Sequence, residues 1–308
     1  MLFKKWSKDI EKYDLSDGYT IEKVSGKDFS IYFAVYEIFD TNIWFRQNFD
    51  VYCSVIEDCD ICFWIKRNGC RIGGVLLEPN YMNCLILEPP YNNEYDIIIA
   101  KLKNILSSWS DKSKAIIAAG VSSDKIKDYQ KIGFKIGESR RCMIRPTEEF
   151  EIIWSDKYKI VSARKENENE ISELFVEAFS TGIESQDMSD FEQQSNSIKY
   201  YFDENPENSL VNKASALIYE KKTNQLVGAC LISIWEEWPN VYDIAVKQSF
   251  QKKGLATNMI KRSLTILKEQ YPVLRLFVTL GNDAEMVYHK MGFLAGVEKT
   301  EMIFDYIT

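Results

Sequence analysis

The run Gln251-Lys252-Lys253-Gly254-Leu255-Ala256-Thr257 places two cations, a glycine and a small residue where a β-type apolar run gives way to a helical one. That combination suits the binding of phosphate. The first turn of a helix leaves backbone N–H groups without acceptors and carries about half a positive charge, so phosphate oxygens are held well there. Gly254 lets a phosphate approach the backbone, Ala256 keeps the approach clear, and Lys252 and Lys253 add positive charge locally. A plain loop carrying a solvated lysine pair is the competing reading, because glycine-containing hexapeptides recur by chance. Neither a Walker lysine pattern nor G-x-G-x-x-G occurs in the chain.

The elements around this loop follow from periodicity. Leu255, Met259, Ile260, Leu264 and Leu267 recur at helical spacing and predict a helix over 254–270, stopped by Pro272. Before it, 215–237 reads as two β runs around the polar turn KKTNQ, with VYDIAV (241–246) as a third, an antiparallel meander. Upstream, 159–164 reads as a short strand and 167–179 as a helix with Ile171, Leu174, Phe175 and Ala178 on one face. Downstream come a buried strand over 274–280, a helix over 283–290 and a closing strand near 298–305. The class is α/β in the α+β sense, a mixed sheet with helices inserted between its later strands.

The chain also resembles itself. DYQKIGFKIGESRRCMI from Asp128 matches VYHKMGFLAGVEKTEMI from Val287 at an offset of 159, pairing Tyr129 with Tyr288, Gly133-Phe134 with Gly292-Phe293 and Met143-Ile144 with Met302-Ile303. IGG at 72–74 against VGA at 227–229 shifts by 155, as a longer hairpin in the second copy requires. Two domains of one fold are expected, 1–147 and 158–308, with a linker near 146–157 marked by Pro146 and an acidic cluster. A chain of 308 residues also exceeds the usual size of a single core.

Taken in order, DIAV, the hexapeptide Gln251–Ala256, a strand ending at Asn282, and Ala284-x-x-x-Tyr288-x-x-x-Gly292-Phe293 resemble the GNAT superfamily of acyl-CoA-dependent N-acetyltransferases. The resemblance covers roughly 158–305. It implies two tandem GNAT-like acyl-CoA N-acyltransferase domains with acetyl-CoA as co-substrate. By resemblance, Gln251, Lys252, Lys253, Gly254, Leu255, Ala256 and Thr257 contact the pyrophosphate. The backbone of Ile244, Ala245 and Val246 pairs with the pantetheine and polarises the thioester carbonyl. Asn282 hydrogen-bonds the pantetheine, and Tyr288 protonates the leaving thiolate. Each has a duller reading: a core strand, a cap for the following helix with Glu285, and a packing tyrosine, since Tyr129 stands at the same place in the first copy.

The amine must also lose a proton. A carboxylate or ordered water near 241–246 is expected as base, with Asp243 first and Glu236 or Glu237 second. The acidic pair between Trp235 and Trp238 reads equally as a solvated hairpin tip or a docking point for a cationic substrate. His289, the sole histidine, lies about 100° around its helix from Tyr288 and is expected to face away.

At the shared offset the first copy carries Glu94 for Lys253, Tyr95 for Gly254, Ile97 for Ala256 and Ser123 for Asn282. Bulk and negative charge replace the cradle, so this copy is expected to be degenerate. Cys59 and Cys62 form a C-x-x-C near Cys53 and Cys70, but a structural zinc needs a second paired ligand set, so buried thiols and no metal are expected. Seven cysteines, six of them before residue 143, fit reduced thiols better than a disulfide framework.

A net charge of −8 argues against nucleic-acid or anionic-membrane partners. Without a secretion signal or a spanning apolar run, a cytoplasmic location is expected. The leading reading is transfer of acetyl from acetyl-CoA to a primary amine of a small molecule or peptide. The alternative is a non-catalytic acyl-CoA-binding sensor or interaction module. Acidic and aromatic residues between 180 and 212 (Glu184, Asp187, Asp190, Phe191, Tyr200, Tyr201) suit a cationic amine, and the oligomeric state, a homodimer included, is left open.

Overall fold

A computed structural model describes residues 5–30, 33, 49–180, 190–206 and 209–306 of the chain. Glu184 and Asp187 lie outside them. The first copy runs β1 (Lys12–Ser16), β2 (Tyr19–Lys23), α1 (Phe49–Glu57), β3 (Cys62–Arg67), β4 (Cys70–Glu78), β5 (Tyr81–Leu87), α2 (Tyr95–Trp109), β6 (Ile116–Ser122), α3 (Ile126–Lys131) and β7 (Lys135–Pro146). The second runs β8 (Tyr158–Val161), α4 (Glu168–Phe179), α5 (Phe191–Glu204), α6 (Leu210–Ala214), β9 (Ala216–Glu220), β10 (Gln225–Trp235), β11 (Trp238–Val246), α7 (Leu255–Leu267), β12 (Val273–Thr279), α8 (Ala284–Lys290) and β13 (Leu294–Phe304). The elements expected between 159 and 305 form, with ends shifted by a few residues. Among the described residues, no helix is long and apolar enough to cross a membrane.

The chain divides into two compact units, and these differ from the halves 1–147 and 158–308 marked by the repeat. One unit comprises 1–140 with 297–308, and the other 141–296. The strand order in the first is β1-β2-β3-β4-β5-β6-β13, with β13 antiparallel to β6 through Thr300–Val121 and Ile303–Ile117. In the second it is β7-β12-β11-β10-β9-β8. The closing strand of each copy thus joins the other copy's sheet. Met143-Ile144 and Met302-Ile303 carry the same apolar signature, so the repeat cannot tell which sheet each strand completes.

In the second unit β10 shows why the sheet is covered on both faces. Successive strand side chains point to opposite faces. Val227, Cys230 and Ile232 join the cluster under α7, whereas Leu226, Ala229 and Leu231 join the one under α4 and α5. Leu255, Met259, Ile260, Leu264 and Leu267 of α7 are all under 5% exposed, each worth roughly 2 kcal/mol of burial. They fix the helix whose N-terminus bears the candidate site. Within the first unit, burial pushes the Cys62 thiol up to about 12, and its Sγ lies 3.6 Å from the Cys59 carbonyl oxygen. It is a protonated core thiol.

Candidate functional site

β11 is paired on one side along its length and on the other only at its start. Its antiparallel ladder to β10 runs from Trp235–Trp238 to Gly228–Val246, and the register shifts between Leu231–Asp243 and Ile232–Val241. Tyr242 is the extra residue of a β-bulge. Towards β12 the parallel ladder consists of Asn240–Arg275 and Val241–Leu276. Beyond Val241 the two strands make no further ladder pairs, so Ile244–Val246 have no strand partner on that side. Backbone polar groups of a strand edge can pair with an extended ligand in such a gap.

The chain turns at Gln248–Phe250 and enters α7 through the expected loop. Gln251 braces it by donating from Nε2 to the Val246 carbonyl at 3.2 Å. Lys252 (φ 59°) and Gly254 (φ 77°) both adopt left-handed backbone, and Gly254 is the N-cap of α7. No side chain caps this N-terminus. A Cβ built on Gly254 would meet no atom within 4 Å. The leading amides of α7 thus have no capping side chain, and no side chain stands at Gly254 to bar an oxyanion from approaching. Lys253 donates to the Ser249 carbonyl at 2.8 Å, with its ammonium 4.5 Å from the Phe250 ring centre, so it stiffens the loop. The Leu255 side chain is buried in the core, leaving its backbone as the site-facing part. Ala256 and Thr257 are half-buried.

Tyr288 is 8% exposed and packs edge to face against Phe293 at 6.0 Å, within the cluster under α7. Asn282 accepts from the Ala284 N–H at 2.9 Å through Oδ1, and its backbone carbonyl accepts from Glu285 N–H, so it braces the turn that leads into α8. Asp243 is half-buried beside the bulge and accepts from the Ile244 N–H at 3.2 Å. Glu237 stands apart. With Glu236 it forms the two-residue tip between Trp235 and Trp238, at φ 45° and 67°. Nine residues of strand, roughly 30 Å at ~3.3 Å per residue, separate it from Val246. The structure brings Asp243 next to the strand gap and does not bring Glu237 to the loop. His289 is exposed, as its helical angle implies.

Sequence reasoning missed a cavity of about 590 Å³ lined by Thr257 and Lys261 of α7, Val287 and Lys290 of α8, and Arg145 and Phe150. The Arg145 guanidinium lies 4.9 Å from the Phe150 ring centre, donates to the Met291 carbonyl and pairs with Glu148. Lys261 lies 5.6 Å from the same ring. Lys261 follows Thr257 by four residues and so shares its helix face, a signal present in the sequence. Arg145 gave none, because it falls in a segment that the repeat assigns to the first copy.

In the first unit the equivalent place is filled. Glu94 is the N-cap of α2, and its two oxygens accept from Arg67 Nη1 and from the Tyr19 hydroxyl, each at 2.6 Å. Tyr95, at the position of Gly254, reaches Tyr129, the counterpart of Tyr288. Their hydroxyl oxygens are 3.4 Å apart and their rings meet edge to face at 6.2 Å. Burial pushes Tyr95 up to about 12 and Tyr129 well above its ordinary value, so both are neutral phenols.

Residues 183–307 match the family of acetyltransferase (GNAT) domains. No curated protein matches the sequence. Among solved structures, a GCN5-related N-acetyltransferase from Sphaerobacter thermophilus aligns with a TM-score of 0.70 at 11% identity, over 94% of this chain and 96% of that one. A tandem GNAT protein from the clavulanic acid biosynthesis pathway aligns with a TM-score of 0.56 at 9% identity, over 92% and 98%. At such identities the likeness is one of fold. The chain therefore has the tandem GNAT fold, and its residues 183–307 match the GNAT acetyltransferase domain family.

Proposed function

We propose that the second unit binds acetyl-CoA and transfers its acetyl group directly to a primary amine of a small molecule or peptide. The observation that carries this reading is the uncapped N-terminus of α7, with empty space above Gly254, beside the unpaired edge of β11. The amides of Leu255, Ala256 and Thr257 take the diphosphate, with Lys252 adding charge. The cationic cavity beginning at Thr257 suits the nucleotide end. The pantetheine arm lies along the backbone of Ile244–Val246, which polarises the thioester carbonyl as negative charge grows on its oxygen during attack.

The chemical step forms a C–N bond and breaks the C–S bond. The amine nitrogen attacks the carbonyl carbon, its surplus proton passes to Asp243 directly or through water, and the departing thiolate takes a proton from Tyr288. The phenol proton passes from oxygen to sulfur as the C–S bond opens, and solvent returns a proton to the phenolate once the products leave. The experiment is release of free thiol from acetyl-CoA by the full chain, with and without a panel of primary amines. Amine-dependent release at a rate well above hydrolysis supports the transferase. Binding of acetyl-CoA without amine-dependent release supports the sensor instead.

A further inference from the structure

Among the described residues, the second unit's sheet carries an exposed aromatic corner beside the gap between β11 and β12. On β12, Leu276 and Val278 are 2% and 3% exposed under α7, whereas Phe277, pointing to the opposite face, is 40% exposed. Trp235, at the end of β10, is 44% exposed. The two rings meet edge to face, centroids 5.1 Å apart at 72°. Phe277 immediately follows the last ladder pair, Val241–Leu276. On β11 the next residues are Tyr242, whose hydroxyl lies 2.8 Å from Ser197 Oγ of α5, and Asp243. The corner therefore lies at the mouth of the gap, on the face away from α7 and the phosphate cradle.

On the reading above, the acceptor amine must reach the thioester carbonyl in that gap, and α7 and α8 cover the other face. We propose that Trp235 and Phe277 bind the apolar, aromatic-sized part of the acceptor and orient its amine towards Asp243. The corner is not built as an ammonium cage. One side of the Trp235 ring already carries the fully buried Arg275 guanidinium, 5.1 Å from the ring centre, and Phe277 is set against the ring. The ring surface left over is a packing surface, which an arylalkyl group fills and a hydrated polycation does not. The carboxylates of Glu236 and Glu237 sit at the hairpin tip beyond it, where a polyamine would be drawn instead.

The test compares 2-phenylethylamine with spermidine on the full chain and on Phe277→Ala, an exposed truncation that leaves Trp235 over Arg275. The expected result is a lower KM for 2-phenylethylamine than for spermidine. Phe277→Ala raises the former roughly 10- to 100-fold, with kcat and acetyl-CoA affinity unchanged. An unchanged KM for 2-phenylethylamine in the variant, or a wild-type preference for spermidine, overturns the proposal. If acetyl-CoA binds but neither amine is acetylated, the transferase reading fails separately. Equilibrium binding of 2-phenylethylamine to the CoA-loaded chain then decides: binding weakened by Phe277→Ala upholds the corner, and binding unaffected or absent refutes it.

Discussion

The N-termini of α2 and α7 occupy equivalent places in the two copies and have opposite contents. At α7 the N-cap is Gly254, with nothing within 4 Å of where a Cβ would be. At α2 a carboxylate, Glu94, stands at the cap with Arg67 and Tyr19 on its oxygens, and Tyr95 extends to Tyr129. The first copy carries its own anion and its own aromatic filler where the second leaves room for a ligand's. In the first copy β5 likewise pairs with β6 only through Tyr81–Ile117 and Met82–Ala118, so the strand gap and the tyrosine stand in both copies, which differ in what fills the helix N-terminus beside them.

The sharpest way to break that comparison is to give the second copy what the first one has. Gly254→Glu places a carboxylate at the open amides. Like charges brought together there cost several kcal/mol, so a CoA affinity loss of about a thousandfold is expected by calorimetry. The fold survives, because the new Cβ enters empty space and the left-handed backbone costs only about 1–2 kcal/mol. Near-native affinity would show that the diphosphate sits elsewhere. Tyr288→Phe keeps the packing against Phe293 and removes the acid. It should lower kcat roughly 100-fold while leaving the acetyl-CoA Kd within about threefold, and an unchanged kcat would reduce Tyr288 to the packing role of Tyr129.

The smallest effect is expected from alkali. Tyr95 and Tyr129 have folded-state values raised above the ordinary phenol value near 10. Below pH 10 both states keep the protons and this contribution is complete. Between pH 10 and about 12 the unfolded chain releases protons that the folded chain retains, so stability falls as pH rises. Denaturant midpoints measured from pH 8 to 11 should decline above 10, and Tyr95→Phe should flatten the decline. A variant with the wild-type slope would remove Tyr95 from the effect.

How much of this was legible in the sequence depended on whether the signal was local. Leu255 to Leu267 defined α7 because burial at helical spacing is local information, and Gly254 with Ala256 marked the cradle because small residues at a helix start leave room. Tyr95 read correctly as an obstruction, but its hydroxyl contact with Tyr129 needed the fold. Asn282 allowed two roles on paper, and the fold adds that its side chain engages the Ala284 N–H just before α8. The exchange of closing strands was invisible, since β7 and β13 have the same pattern. Arg145 was hidden with it. Trp235 and Phe277 are 42 residues apart and meet only through the register of three strands.

The direct measurement is a calorimetric titration of CoA and acetyl-CoA into the purified full chain. One site per chain is expected, with enthalpy that disappears in Gly254→Glu. Absence of binding by a folded chain would contradict the open cradle at α7, and two sites per chain would contradict the filled one at α2.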